Sequence, residues 1–401
     1  MIYEVYTRNK LTGKRDKYVD GIMNIEVTFR LNQPAKWSIT GAGLEECPLA
    51  NGADIVIFRD NAVLLCGYVE NIQDKYNASN RIYDWKATGQ SDLGKLSYRL
   101  VYPDPADATP DPDGTYSATG YFVKELLTVI NKNAGGESLT PRQINHLDIS
   151  EILEIGEEIT IESKFDQLDE LITDKLTDTD WQIREIWDLA AGSWTVKIQK
   201  AVDVSGKIIF SVDNGSISAW QRTIKAPKAN WLLVTGCQKP IDESDPEGES
   251  ETMSCIVYDQ GSIDKWGRIE ALVIRSDITQ IVEKDDEGTV TYEEPWTSVA
   301  ERLESAAYEE LEKASAEFGY KLTTAEISRN VYGTDYDIGS IVAVRIANTE
   351  FTAPVKEIKI TYTKGIEKIV PSVGTMQKGE LESVFTEIGT LKDQIRILQQ
   401  S

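Results

Sequence analysis

The chain is poor in the residues that carry most enzyme chemistry. Its 401 residues include one histidine, His146. Nucleophilic triads and histidine–metal sites need at least one well-placed imidazole, and metal sites often two. His146 lies in PRQINHLDIS, a polar stretch with no nucleophile motif around it. Four cysteines, Cys47, Cys66, Cys237 and Cys255, stand far apart with no C-x-x-C between them. That spacing supports neither a zinc site nor a disulfide framework and reads as buried reduced thiols. No G-x-S-x-G, Walker A or G-x-G-x-x-G occurs, so neither a nucleophile elbow nor a phosphate loop is expected. Carboxylate pairs of the glycosidase kind carry no signal among 66 acids, because accidental pairs abound. No catalytic residue, metal or cofactor is expected. No apolar run approaches the ~20 residues of a membrane span, and no apolar signal core follows Met1.

Positive charge is also scarce. Lys plus Arg total 42 against 66 acids, a net charge of −24. Nucleic-acid binding is driven by basic side chains that neutralise phosphates, so sequence-specific binding of nucleic acid is not expected. The acid surplus also suits plain solubility. Two acidic loops, 240–251 and 283–294, read as solvated turns. Neither has the spacing of a calcium loop.

What is present is mostly β. Ile25, Val27, Phe29 and Leu31 alternate in 22–31, the period of a half-buried strand. Two apolar runs flank Asp60-Asn61 in 53–76, a hairpin signature. A third run, 81–89, follows, and together they predict a small barrel or sandwich. Four prolines and four aspartates in 101–115 mark a loop or junction. Beyond it, Tyr121, Phe122, Leu126, Leu127 and Ile130 predict a helix with Thr119 as N-cap and Gly135 as stop. A second helix is predicted from Ser163, burying Phe165, Leu168, Leu171, Ile172 and Leu176. Strands are predicted at 181–187, 194–199, 207–212, 230–237, 253–259 and 269–277. A helix at 296–318 uses Val299, Leu303, Ala306, Ala307 and Leu311. Trp85, Trp181, Trp194 and Trp231 sit in β runs and read as core.

The segment 52–72 has an echo in 339–358. Each opens on glycine, runs into β, places an asparagine nine residues on (Asn61, Asn348), and ends in a second β run one position out of step. Duplication and chance similarity of two hairpins both account for this. After Pro371 the pattern changes again. Leu381, Val384, Ile388, Leu391, Ile395 and Leu398 recur at spacings of 3 and 4, the a/d seam of a coiled coil. The seam spans roughly 27 Å at ~1.5 Å per residue. A helix this short is marginal alone. It needs copies held close by the body, or a continuing partner; packing on its own body is the alternative. Ile388/Leu391 and Ile395/Leu398 are pairs that favour two strands in isolation.

In Leu49–Ile57 with Cys66–Val69, Asn230–Gly236, Trp266–Glu270, Tyr336–Val342, and Gly365 with Pro371–Gly374, the chain resembles the tail hub proteins of bacteriophages. These include siphovirus tail proteins related to the central baseplate hub of contractile-tailed phages. The resemblance implies an α+β, mainly β fold, with two similar antiparallel β-barrel tube domains, α/β insertions and a C-terminal coiled-coil helix. The implied domains are a tube domain at 1–100, an α+β domain at 101–228, a second tube domain at 229–375 with the helix inserted, and a stem at 376–401. It implies a homotrimer in the virion tail tip or baseplate that adapts a sixfold tail tube to a threefold needle and lines the DNA channel. Its implied partners are a tail tube or distal tail protein, a needle, fibre or spike protein, and a tape measure protein. The acid surplus would suit a bore past which DNA slides. The chain ends at the stem, without the peptidoglycan-cutting domain of longer relatives, so no lysin activity is carried over. A receptor- or glycan-binding tail protein is the alternative reading, and a cell-wall hydrolase a third.

Overall fold

The computed structural model describes residues 2–374 except 80, 113, 150–151, 178, 242–248, 276, 285–289, 325–326, 328–329 and 347–348. The coiled-coil seam expected at 381–398 lies outside the described residues. The chain divides into two compact units. One is Met1–Gln221 together with the chain from Lys321 onward; the other is Arg222–Tyr320.

The first unit opens with seven strands: β1 (Tyr3–Arg8), β2 (Arg15–Tyr18), β3 (Ile22–Arg30), β4 (Gln33–Gly43), β5 (Asp54–Arg59), β6 (Ala62–Asn77) and β7 (Ile82–Ser91). In β3 the expected alternation holds at Ile25 and Val27, which are buried, whereas Phe29 is half-buried and Leu31 lies in the turn past the strand. Asp60 and Asn61 turn the β5–β6 hairpin with φ of 49° and 66°, the left-handed pair that a two-residue turn between twisted strands requires. Between β4 and β7 two tryptophans face glycines, Trp37 opposite Gly89 and Trp85 opposite Gly41. A Cβ on Gly41 would lie 2.1 Å from the Trp85 ring, so the indoles occupy the space that the glycines leave.

The middle block comprises β8 (Tyr116–Tyr121), α1 (Phe122–Ala134), β9 (Glu158–Ser163), α2 (Leu168–Leu176), β10 (Trp181–Asp188), β11 (Ser193–Lys200) and β12 (Ile209–Ser211). Here the sequence places both helix starts too early. Thr119 belongs to β8 and pairs with Thr160 of β9. The N–H groups of Phe122 and Val123 go to the carbonyls of Glu157 and Ile155. Chain pairing thus takes up donors that an N-cap side chain would otherwise satisfy. Ser163 likewise ends β9, and its Oγ accepts from Asp166 N at 3.3 Å in the turn before α2. The apolar stripes are as expected except at their first members: Tyr121 stays in β8 and is 40% exposed, and Phe165 sits before α2 with φ of 61°. Leu126, Leu127 and Ile130 of α1 share one core with Leu168, Leu171, Ile172 and Leu176 of α2 and with Trp194 and Val196 of β11.

The chain enters the second unit along β13 (Ile217–Lys225). It continues through β14 (Trp231–Pro240), β15 (Ser250–Tyr258), α3 (Gln260–Trp266), β16 (Glu270–Ile274), β17 (Val282–Lys284), β18 (Val290–Glu293) and α4 (Trp296–Lys313), and leaves along β19 (Glu317–Thr324). The central β14 is antiparallel to β15 and parallel to β16. The α4 stripe of Val299, Leu303, Ala306, Ala307 and Leu311 packs with Leu232, Val234 and Val257.

Back in the first unit come β20 (Ile341–Ile346), β21 (Thr349–Thr363) and β22 (Ile366–Val373). These do not form a sheet of their own. β21 pairs with β3 over Asn24–Arg30 and Glu357–Thr363. The result is one 11-stranded sheet in the order β12-β20-β21-β3-β4-β7-β6-β5-β1-β2, with β22 also on β21. Among the described residues no pairing closes it into a barrel. Residues 222–320 build the second unit, and the strands from Ile341 onward pair within the N-terminal sheet.

Candidate functional site

Among the described residues, His146 and the four cysteines are placed as follows. His146 has φ of 67°, its Nε2 lies 2.9 Å from Lys10 O, and its carbonyl accepts from Trp194 N. These are backbone-pinning contacts. The cysteines are free, with Cys66 buried and the other three partly so; burial pushes the Cys66 thiol well up. No group of three or more potential metal ligands occurs among the described residues. No described helix is long and apolar enough to cross a membrane. Trp85 and Trp194 are core residues, whereas Trp181 and Trp231 are half-buried.

What the structure does bring together is the echo. Both segments form antiparallel strand pairs, β5–β6 and β20–β21, with Asn348 outside the described residues, and the likeness extends to single backbone hydrogen bonds. Gly52 N donates to Val69 O at 2.8 Å, and Gly339 N donates to Val355 O at 2.7 Å. Val69 N returns to Ala53 O and Val355 N to Ser340 O, both at 2.9 Å. A bulge follows each valine, between Val69 and Asn71 against β7 and between Val355 and Glu357 against β22. After each bulge the side chains also agree: Ile72 with Ile358, Tyr76 with Tyr362. The drift of one position that the sequence shows is absorbed before the valine.

Both glycines need φ > 0, 70° at Gly52 and 74° at Gly339, which costs an L-residue roughly 1–2 kcal/mol. A Cβ on Gly52 meets nothing nearer than Lys10 Nζ at 3.9 Å, whereas one on Gly339 falls 2.0 Å from Gln182 Oε1. Gly52→Ala is expected to lower stability by about 1 kcal/mol and Gly339→Ala by more, measured as urea midpoints. Equal effects would contradict the local geometry.

Strands β1 and β5 are also clasped to β22. Arg59 of β5 binds Glu367 of β22 through Nε at 2.8 Å and Nη2 at 2.7 Å, a bidentate fork. Tyr3 Oη donates to the same carboxylate, and the Tyr3 ring stacks on Tyr362 at 4.4 Å. Beneath β1, Arg8 reaches Asp92, and Lys95 joins Asp92 at 2.7 Å to Asp54 at 2.8 Å. Glu185 of β10 docks on this cluster by accepting from Leu93 N at 2.8 Å and from Trp187 Nε1 at 3.1 Å.

Burial, with the Asp92 charge adding to it, pushes the Glu185 carboxyl from an ordinary 4.5 up to about 7. The folded chain therefore holds this proton more tightly than the unfolded one. Its contribution to stability is full below about pH 4.5 and is lost as pH rises through about 7. Glu185→Gln should remove that slope, so wild type loses stability relative to the variant between pH 5 and pH 8 in parallel urea titrations.

A family model described as Siphovirus ReqiPepy6 Gp37-like protein matches residues 4–375. The chain belongs to that family. No curated protein matches it by sequence. In fold this Gp37-like chain is similar to the 43 kDa tail protein of prophage MuSo2 from Shewanella oneidensis, with TM-score 0.53 and 12% identity over 92% of this chain and 97% of that one. It is similar also to a tail protein of Neisseria meningitidis MC58, with TM-score 0.50 and 10% identity over 93% of this chain and 97% of that one. Prophage tail protein gp18 of Listeria monocytogenes EGD-e is alike at TM-score 0.50 and 12% identity, over 97% of this chain and 99% of that one. At such identities the likeness is one of fold. The family is one of siphovirus Gp37-like proteins, and the solved structures that share this fold are tail proteins.

Proposed function

We propose that the chain is a tail hub: a homotrimeric ring that adapts a sixfold tail tube to a threefold needle and lines the channel for DNA. The observation that carries this reading is the repeated β hairpin module within one chain. Three copies present six modules, which matches a sixfold tube, while the chain as a whole keeps threefold symmetry. The strands around β5–β6 and those around β20–β21 serve as the two tube modules. The α/β parts decorate them. In this reading the seam Leu381, Val384, Ile388, Leu391, Ile395 and Leu398 is the axial threefold exit. Its core pairs favour dimers only in isolation, and a body with large symmetric contacts outweighs a stem this short. The partners are a tube or distal tail protein above, a needle, fibre or spike below, and a tape measure protein in the bore. Mass photometry of the full chain tests the reading. A trimer, seen in negative stain as a three-lobed ring with a central hole, is the expected result, and a monomer or dimer overturns it.

A further inference from the structure

The two modules differ at one strand edge. In the second, β21 carries β22 on one edge. The opposite edge carries β20 over residues 349–354 and then β3 over 357–363. In the first, β6 carries β7 on one edge over residues 67–77 and β5 on the other over 62–68. Past Val69 no strand follows β5 on that edge among the described residues. An edge with open backbone groups is a template for another strand.

Internal correspondence names the strand that belongs there. The first module runs β3–β4–β7–β6. In the second, β13 pairs with β19, and β19 meets β22 through the Thr324 hydroxyl on Pro371 O. No ladder joins β19 to β22 among the described residues; with that one contact taken as their neighbour relation, the matching order is β13–β19–β22–β21 and β13 is the counterpart of β3. The sequences agree in register: Ile22 with Ile217, Thr28 with Thr223, Arg30 with Lys225. Within the chain, β21 of the second module already holds β3 of the first. The reciprocal joint, β6 of the first module with β13 of a second, has no counterpart among the described residues of one copy.

We infer that the open edge of β6, Asn71–Asn77, is completed by β13 of a second copy, antiparallel and in the register that β21 makes with β3. This rests on the ring reading and specifies its joint. Carrying the register over pairs Ile72 with Ile224, Asp74 with Arg222, and Tyr76 with Trp220. Their counterparts inside the chain are Ile358–Phe29, Ile360–Val27 and Tyr362–Ile25. Two of the three pairs stay apolar. The third changes on both strands at once, from isoleucine opposite valine to carboxylate opposite guanidinium. Residues directly opposite in a ladder have Cβ atoms ~4.5–5.5 Å apart, close enough for an ion pair.

Exposure fits a joint that forms between copies. Tyr76 is 52% exposed, Trp220 44% and Ile224 42%, whereas Ile25, Val27, Ile358 and Ile360 in the internal ladder are buried. The charges also set specificity. A second copy's β3 is already paired on both edges, with β21 and β4, and the Asp74–Arg222 pair further favours β13. Such a joint is head-to-tail, the kind that closes into a ring.

The full chain carrying Ile72→Cys and Ile224→Cys tests the register. Oxidation should give covalent dimers and trimers on a non-reducing gel. Ile72→Cys with Thr223→Cys, one residue off and on the other face, should give only the wild-type background. Asp74→Arg should weaken association at least ~10-fold by placing like charges opposite each other, and adding Arg222→Asp should restore it. Asp74 also accepts from Cys47 N at 2.8 Å, so recovery in the double variant separates the joint from a local defect. A trimeric wild type with neither cross-link nor rescue overturns this joint and leaves the ring standing. A monomeric wild type overturns the ring itself, and this joint with it.

Discussion

Arg8→Ala is expected to lower the stability of the first unit by about 3–5 kcal/mol, the cost of leaving a buried charge without its partner. Arg8 is 4% exposed and Asp92 0%. The guanidinium donates to Ile55 O at 2.9 Å and to Gly67 O at 3.1 Å, pairs with Asp92 at 2.5 Å, and lies 4.0 Å over the Trp187 ring. One side chain therefore ties β1 to β5, β6, the turn at Asp92 and β10. Removing it strands the Asp92 carboxylate with Lys95 alone and unpairs two carbonyls. Arg8→Lys keeps the charge but lacks the planar fork, so it should recover only part of the loss. Urea unfolding followed by tryptophan fluorescence reads both variants, and a loss below about 1 kcal/mol for alanine would contradict the role of the cluster.

Trp194→Ala should cost about as much, roughly 3–5 kcal/mol, by a different route. Trp194 is 1% exposed and stands in the core shared by α1, α2 and β11. Its ring stacks beside Trp187 at 6.3 Å, and its Nε1 donates to Asn145 O at 3.3 Å. The backbone does further work: Trp194 N donates to His146 O and Trp194 O accepts from Asp148 N, both at 2.8 Å. The indole and these two backbone bonds together join β11 to that segment. Hydrogen exchange should therefore rise at Asp148 in the variant beyond the global change. Unchanged protection there would show that the segment is held without the ring.

Much of the local structure was legible because it follows from periodicity and turn chemistry. The Asp60-Asn61 turn, the β3 alternation and the stripes of α1, α2 and α4 are set by residues within one or two turns of each other. The helix starts at Thr119 and Ser163 were misplaced because a strand partner from β8 or β9 took up the local groups first. Of the candidate assembly surface, one half was readable and one was not. Val69, Ile72 and Tyr76 repeat in Val355, Ile358 and Tyr362, and that spacing stood in the sequence. Which edge of β6 stays open depends on where β3 and β5 run, and no local pattern records it.

The sequence by itself determined a mainly β pattern, the likeness of two segments with their two glycines, and a chain with one histidine and four scattered cysteines. Each of these is written in residue type or spacing. Only the tertiary structure decided that the repeats share one open sheet, because the β3–β21 ladder joins residues more than 300 positions apart. It alone showed that Arg8, Asp92, Lys95 and Glu185 meet in one buried cluster. Long-range pairing and desolvation depend on which strands become neighbours, and that is set by the packing of the whole unit.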